Sequence, residues 1–199
     1  MPEIEEISRA IRERLDKKDL ARESALKTSR QIIRECRSAI ASLQKGNDAK
    51  ENMERARKAH TQLKKMLAGF PDLLSAGYAV DAEQELAEAE ILASCTCGKE
   101  APSPEEIGVE DEAFVLGMAD SIGEMRRLLL DRLMKDDVEA AGLMLGKMER
   151  FFNILMTFDY PDALIATKRK QDVARGLVEK SRGELAMATQ MSRLRKNLD

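Results

Sequence analysis

Apolar residues recur along most of this chain at intervals of three and four, the spacing that lines them up on one side of an α-helix. Residues 2 to about 44 carry Leu26, Ile33, Cys36, Ile40 and Leu43 at heptad-like spacing and predict one long helix, with Lys17-Lys18-Asp19 as the place where it would break. Lys45-Gly46-Asn47-Asp48 supplies the Gly and Asn of a helix stop, and Asp48 can cap the next start. A second helix follows over about 49–67, with Met53, Ala56, His60, Leu63 and Leu67 on one side, and Gly69-Phe70-Pro71 ends it. The third spans about 73–93. Residues 94–111, SCTCGKEAPSPEEIGVED, have no period and predict a long, mobile loop. Helix four, about 112–135, has Met118, Ile122, Met125 and Leu129 as its core stripe; Asp136-Asp137 then opens a fifth through Ala140, Leu143, Met144 and Met148 to Met156. After Pro161 the last helix runs from about 163 to the C-terminus. No internal repeat is visible. The pattern predicts an all-α protein, an antiparallel bundle of six or seven helices forming a single domain over 1–199.

Composition agrees with this reading and narrows the chemistry. Ala, Leu, Met, Glu, Lys and Arg dominate, Trp is absent, and the 199 residues suffice for one sizeable core. The eleven methionines fall mostly on core stripes and read as packing material. No stretch approaches the roughly 20 apolar residues that span a bilayer, and the N-terminus has no signal-peptide core, so a cytoplasmic protein without a membrane partner is expected. Cys36, Cys95 and Cys97 are an odd set without metal-knuckle spacing and read as reduced thiols. His60 is the only histidine, which excludes His-dependent nucleophilic catalysis and a multi-histidine zinc site. Arg57 stands three before it, so the Glu-x-x-His motif of a di-iron bundle is absent, and His60 is expected at the surface of its helix.

A net charge of −3 gives no global pull on a polyanion, so such a partner has to be met by a local basic patch. Lys27, Arg30, Arg34 and Arg37 form a stripe on one face of the first helix, and Lys168-Arg169-Lys170 with Arg175 is a second candidate. Either suits a phosphate backbone, and either also suits a solvated helix face. With two Tyr and five Phe there is little to stack on bases, which favours backbone capture over base-specific reading.

The acids are sorted. Asp81, Glu85 and Glu88 share one side of the third helix while Glu83 and Glu90 point to the other, and Asp120 and Glu124 lie one turn apart on the fourth. Facing each other, the two sets would offer oxygen ligands to a hard divalent cation such as Mg²⁺, an arrangement suited to phosphodiester hydrolysis. The same spacing also describes wet helix faces, with Glu124–Arg127 and Arg127–Asp131 as ordinary pairs. Against that, Asp120 sits among apolar and small residues, and Gly117 and Ser121 would let another helix come close.

Gln84-Glu85-Leu86-Ala87-Glu88-Ala89, followed by Gly117-Met118-Ala119-Asp120-Ser121-Ile122-Gly123-Glu124, resembles the paired signatures of the translin and translin-associated factor X (TRAX) family. ESALKTSRQIIRECRSAIASLQ and KRKQDVARGLVEKSRGEL look like that family's first and last helices, so the resemblance covers most of 20–186. It implies a seven-helix fold in hollow homo-oligomers, an octamer favoured, that bind single-stranded RNA, with single-stranded DNA as an alternative. For the TRAX branch it implies a Mg²⁺-dependent endoribonuclease, with Mn²⁺ able to substitute. Carried over, Glu85, Glu88, Asp120 and Glu124 are the catalytic and metal-ligating acids. On that reading the first-helix stripe Lys27, Arg30, Arg34 and Arg37 would hold the nucleic-acid backbone, with Arg127 a further contact near the scissile phosphate. The loop after the third helix is shorter than in eukaryotic members, and Asp81 is additional, an outer candidate only. A non-catalytic nucleic-acid binder and a helical scaffold are the alternatives that share these features.

Overall fold

The computed structural model describes residues 3–196, and all regular structure among them is helical. In chain order the helices are α1 (Ile4–Gln44), α2 (Lys50–Leu67), α3 (Pro71–Leu74), α4 (Gly77–Thr96), α5 (Pro104–Ile107), α6 (Asp111–Met134), α7 (Val138–Leu155) and α8 (Lys168–Lys196). Six are long, as the apolar periodicity predicts, and α3 and α5 are single turns. None among the described residues is long and apolar enough to cross a membrane. α1 packs on α2 and α4, α4 on α6, and α6 on α7 and α8, which leaves α4 and α6 as the central pair.

That central position explains why the two helices are apolar on so many sides. Ala79, Ala82, Leu86, Ala89, Ile91 and Leu92 of α4 are buried, as are Val115, Met118, Ile122, Met125 and Leu129 of α6. Their contact is closest at Gly117. A Cβ there would stand 2.5 Å from the Gln84 carbonyl oxygen and 2.9 Å from both the Ala87 Cβ and the Glu88 backbone nitrogen. Backbone atoms of a packed helix cannot yield to such a group, so the absence of a side chain fixes how near α6 lies to α4.

α1 is unbroken through Lys17-Lys18-Asp19, contrary to the expected break. Its buried face is Ala25, Ser29, Ile32, Cys36, Ala39 and Ile40, while Leu26, Ile33 and Leu43 are only partly buried. The small residues between the larger ones let α1 lie close to two helices at once. Before Lys18 the helix extends past the core, and Ile4, Ile7, Ile11 and Leu15 stand exposed on it.

Three further expectations are corrected. His60 is buried rather than superficial: its Nε2 lies 2.9 Å from Glu83 Oε1, and Glu83 Oε2 accepts the Glu110 N–H at 3.0 Å. Burial is tolerated because each polar group finds a partner. The segment 94–111 is tied down. α4 continues to Thr96, Ser103 and Glu106 form a capping box on α5, and Lys64 Nζ donates to the Gly108 carbonyl at 2.9 Å. α8 begins at Lys168 rather than about 163, after a turn held by Gln171 Nε2 donating to the Leu155 and Phe158 carbonyls at 3.0 and 2.9 Å.

Gly117→Ala is therefore expected to lower stability by about 1–3 kcal/mol through overpacking. Gly146→Ala, at a helical position with nothing within 4 Å of the new Cβ, should instead be neutral or stabilising by up to about 1 kcal/mol. Denaturant melts of the two variants check the contrast.

Candidate active site

Four helices converge on the acidic faces. α4 presents Glu85 and Glu88, α6 presents Asp120, Glu124 and Arg127, α1 brings Arg37 and Gln44, and α8 brings Lys170. Glu85 Oε1 accepts from Arg37 Nη2 at 2.8 Å and from Nε at 3.2 Å. Glu124 lies 3.0 Å from Arg127 Nη1 and also accepts from Gln44 Nε2. Both Asp120 oxygens are engaged, Oδ1 by Lys170 Nζ at 2.5 Å and Oδ2 by Gln84 Nε2 at 2.6 Å. Glu85 and Glu124 face a cavity of about 310 Å³ together with Glu88, Arg37, Gln44 and Arg127, while Asp120 and Lys170 line a second cavity of about 280 Å³ with Arg169.

Glu88 lies inside this ring of charge. Burial first, then the neighbouring charges of Asp120, Glu85 and Glu124, raise its carboxyl from 4.5 to about 8, with Lys170 acting in the opposite sense. It therefore keeps its proton at neutral pH. Burial also raises Glu124, with Arg127 opposing. The Cys36 thiol is pushed upward by burial and then by the surrounding glutamates, which makes it an inert core group rather than a nucleophile.

Each residue expected at the site can now be placed. Glu85, Glu88, Asp120 and Glu124 are brought together. Arg37 and Arg127 are ion-paired to two of them, and Arg127 takes Glu124 as its partner. Lys27, Arg30 and Arg34 are exposed on α1, on the helical side that leads to Arg37, so the basic stripe ends at the acids. Asp81 is exposed and takes no part. Glu83 and Glu90 turn the other way, onto His60 and onto Arg57 of α2. Roles for Gln44, Gln84 and Lys170 were not foreseen. Gln84 stands inside the quoted motif and Lys170 inside a basic run, but nothing local marks Gln44, the last residue of α1.

The donor set is oxygen-only, half-buried and rich in negative charge, which fits a hard divalent cation. Among the described residues, however, no three acidic, thiol or imidazole groups stand in ligating array. Arg37, Lys170, Arg127 and the two glutamine amides hold three of the acids apart, so loading a cation requires exchange of those contacts.

No family model matches the chain. A protein of Methanocaldococcus jannaschii, described as uncharacterized, is 34% identical over 187 residues, 92% of this chain and 83% of its own length. The crystal structure of AfC3PO is similar with a TM-score of 0.86 at 31% identity, covering 94% of this chain and 98% of that one. A structure of AfC3PO in complex with duplex RNA gives 0.81 at 30%, covering 94% and 97%. Apo-NeC3PO gives 0.73 at 20%, covering 94% and 98%, a likeness of fold alone. Two acidic motifs in the right order, brought face to face in a fold shared over nearly the whole length of AfC3PO, show that the chain belongs to the translin/TRAX family.

Proposed function

We propose that this protein binds RNA as a homo-oligomer and cleaves it as a Mg²⁺-dependent endoribonuclease, with an octameric shell as the favoured assembly. The observation that carries the reading is the clustering of Glu85, Asp120 and Glu124 around Glu88 at the end of an exposed basic stripe. The exposed apolar stripe Ile4, Ile7, Ile11 and Leu15 on the α1 overhang supports contact between copies.

Glu85, Glu88 and Asp120 would hold the cation, with Glu124 as a further ligand or as the group that orients the attacking water. Mg²⁺, or Mn²⁺ in its place, supplies when bound an acidified water and neutralisation of the charge on the phosphate. Lys27, Arg30 and Arg34 hold the backbone electrostatically, and Arg37 and Arg127 serve phosphates nearest the acids, where a guanidinium can make two parallel hydrogen bonds. Water adds at phosphorus as one ester P–O bond breaks, and the leaving oxygen takes up a proton. No side-chain nucleophile is required.

The strandedness of the substrate has two readings. Few aromatics and a backbone-directed stripe suit single strands. The AfC3PO complex with duplex RNA favours a second reading, in which this chain also takes duplexes.

End-labelled single-stranded and duplex RNA incubated with the protein separate these cases. Cleavage is expected to require Mg²⁺, to stop in EDTA, and to fall by roughly 100-fold or more in Glu85→Ala/Glu88→Ala. Cleavage that survives EDTA or the double substitution overturns the reading. Arg30→Ala/Arg34→Ala should weaken RNA binding and flatten its salt dependence without changing the thermal midpoint, because both side chains are solvated.

Stability of the metal-free protein offers a separate check. The folded state holds the Glu88 proton up to about pH 8, whereas an unfolded chain releases it near 4.5. Between those values folding takes up a proton, so this contribution is full below the window and is lost as pH rises through it. Melts in EDTA from about pH 6 to about pH 9 should decline more steeply for the wild type than for Glu88→Gln. Parallel curves would contradict the assignment.

A further inference from the structure

Lys170, from α8, pairs with a site acid and holds Asp120 Oδ1 at 2.5 Å. The two side chains are only partly exposed, 26% for Lys170 and 33% for Asp120, and both open on the second cavity. Gln84 closes off the other carboxylate oxygen. Both Asp120 oxygens thus already accept a hydrogen bond, and a divalent cation approaching Oδ1 meets the ammonium there. Gln84 is a neutral amide from the same helix as Glu85 and Glu88, and it opposes a cation only by occupying an oxygen. Lys170 opposes one both by occupancy and by charge.

Its surroundings give the displaced ammonium something to do. Lys168 and Arg169 precede it at the start of α8 and are exposed, and Arg169 lines the same cavity. A lysine is suited to such a change of partner: its four-carbon stem is flexible and its charge needs no fixed orientation, unlike the planar fork of Arg37 or Arg127. Two anionic partners, a carboxylate and an RNA phosphate, would therefore claim one cation in turn.

Resting on the nuclease reading above, we propose that Lys170 is a positioning residue that neutralises Asp120 in the metal-free protein and passes to an RNA phosphate when a divalent cation takes its place. The ion pair keeps four clustered carboxyl groups tolerable without a metal and makes metal binding and RNA binding mutually favourable. RNA draws the ammonium away from Asp120 and frees the oxygen, and the cation, by taking that oxygen, frees the ammonium for RNA.

Mn²⁺ titration of the full-length protein without RNA tests this, followed by calorimetry or by the electron paramagnetic resonance of the free ion. Lys170→Met should bind Mn²⁺ about three- to tenfold more tightly, the scale of losing one competing, partly exposed ion pair. The same variant should cleave RNA less well, with the loss concentrated in KM, and Lys170→Arg should restore the wild-type Mn²⁺ affinity. Lys170→Gln is expected to behave like Lys170→Met and guards against a packing artefact of the thioether, while circular dichroism melts verify the fold. A role in structure alone predicts weaker Mn²⁺ binding in both neutral variants. Equal or weaker binding in folded Lys170→Met and Lys170→Gln overturns the proposal while leaving the nuclease reading intact. A wild-type protein that binds no Mn²⁺ overturns both.

Discussion

Helices α4 and α6 can share an acidic face only because Gly117 lets their backbones meet. With a side chain at that position the Gln84 carbonyl and the Glu88 nitrogen would be overlapped, and α6 would have to stand off or shift along its axis. Either movement would carry Asp120 and Glu124 away from Glu85 and Glu88. The contact lies one turn before Asp120 and touches the residues flanking Glu85, so packing and site share the same atoms. Both helices are locked by apolar residues on their remaining sides, which leaves little freedom for the acids to relax apart.

The acids of α4 divide the work between its two sides. Glu90 pairs with Arg57 of α2, and Glu83 joins His60 to the backbone at the start of α6. These acids set where α2 lies and where α6 begins. Glu85 and Glu88, on the opposite side, face the cavity that this placement creates. Concentrating four carboxylates there is unfavourable by simple repulsion, and the fold answers with cations from three different helices: Arg37 of α1, Arg127 of α6 and Lys170 of α8. Burial first, and then the neighbouring acids that these cations leave uncompensated, keep Glu88 protonated. A half-buried carboxylic acid among ion pairs signals a site arranged for something more positive than the protein itself supplies.

The helical fold and the acids were largely legible in the sequence. Spacing of apolar residues marked α1, α2, α6 and α7, and spacing of acids on α4 separated Glu85 and Glu88 from Glu83 and Glu90, because a helix converts sequence interval into direction. Small residues around Asp120 indicated a close helix approach, and Gly117 is where it occurs. Errors arose where burial depends on a distant partner. His60 looked like a surface residue beside Arg57 and Lys58, yet Glu83, on another helix, makes its burial tolerable. The 94–111 segment lacks a period, but Lys64 of α2, Glu83 of α4 and Arg150 of α7 hold it from outside.

Local sequence thus determined which residues form helices, which sides of those helices are apolar, and which oxygen ligands are on offer, since all three follow from intervals within one element. The tertiary structure decided which of those sides meet. It brought Gln44 from the end of α1 and Lys170 from α8 onto acids that lie 80 and 50 residues away in the chain. It also paired Arg37 with Glu85 and left Glu88 with its proton. Charge balance at a site is a sum over everything within a few ångströms, and no interval along one helix contains that sum. The paired acidic faces were therefore readable as a pattern, but their conversion into a compensated, partly protonated cluster belongs to the packing of four helices around them.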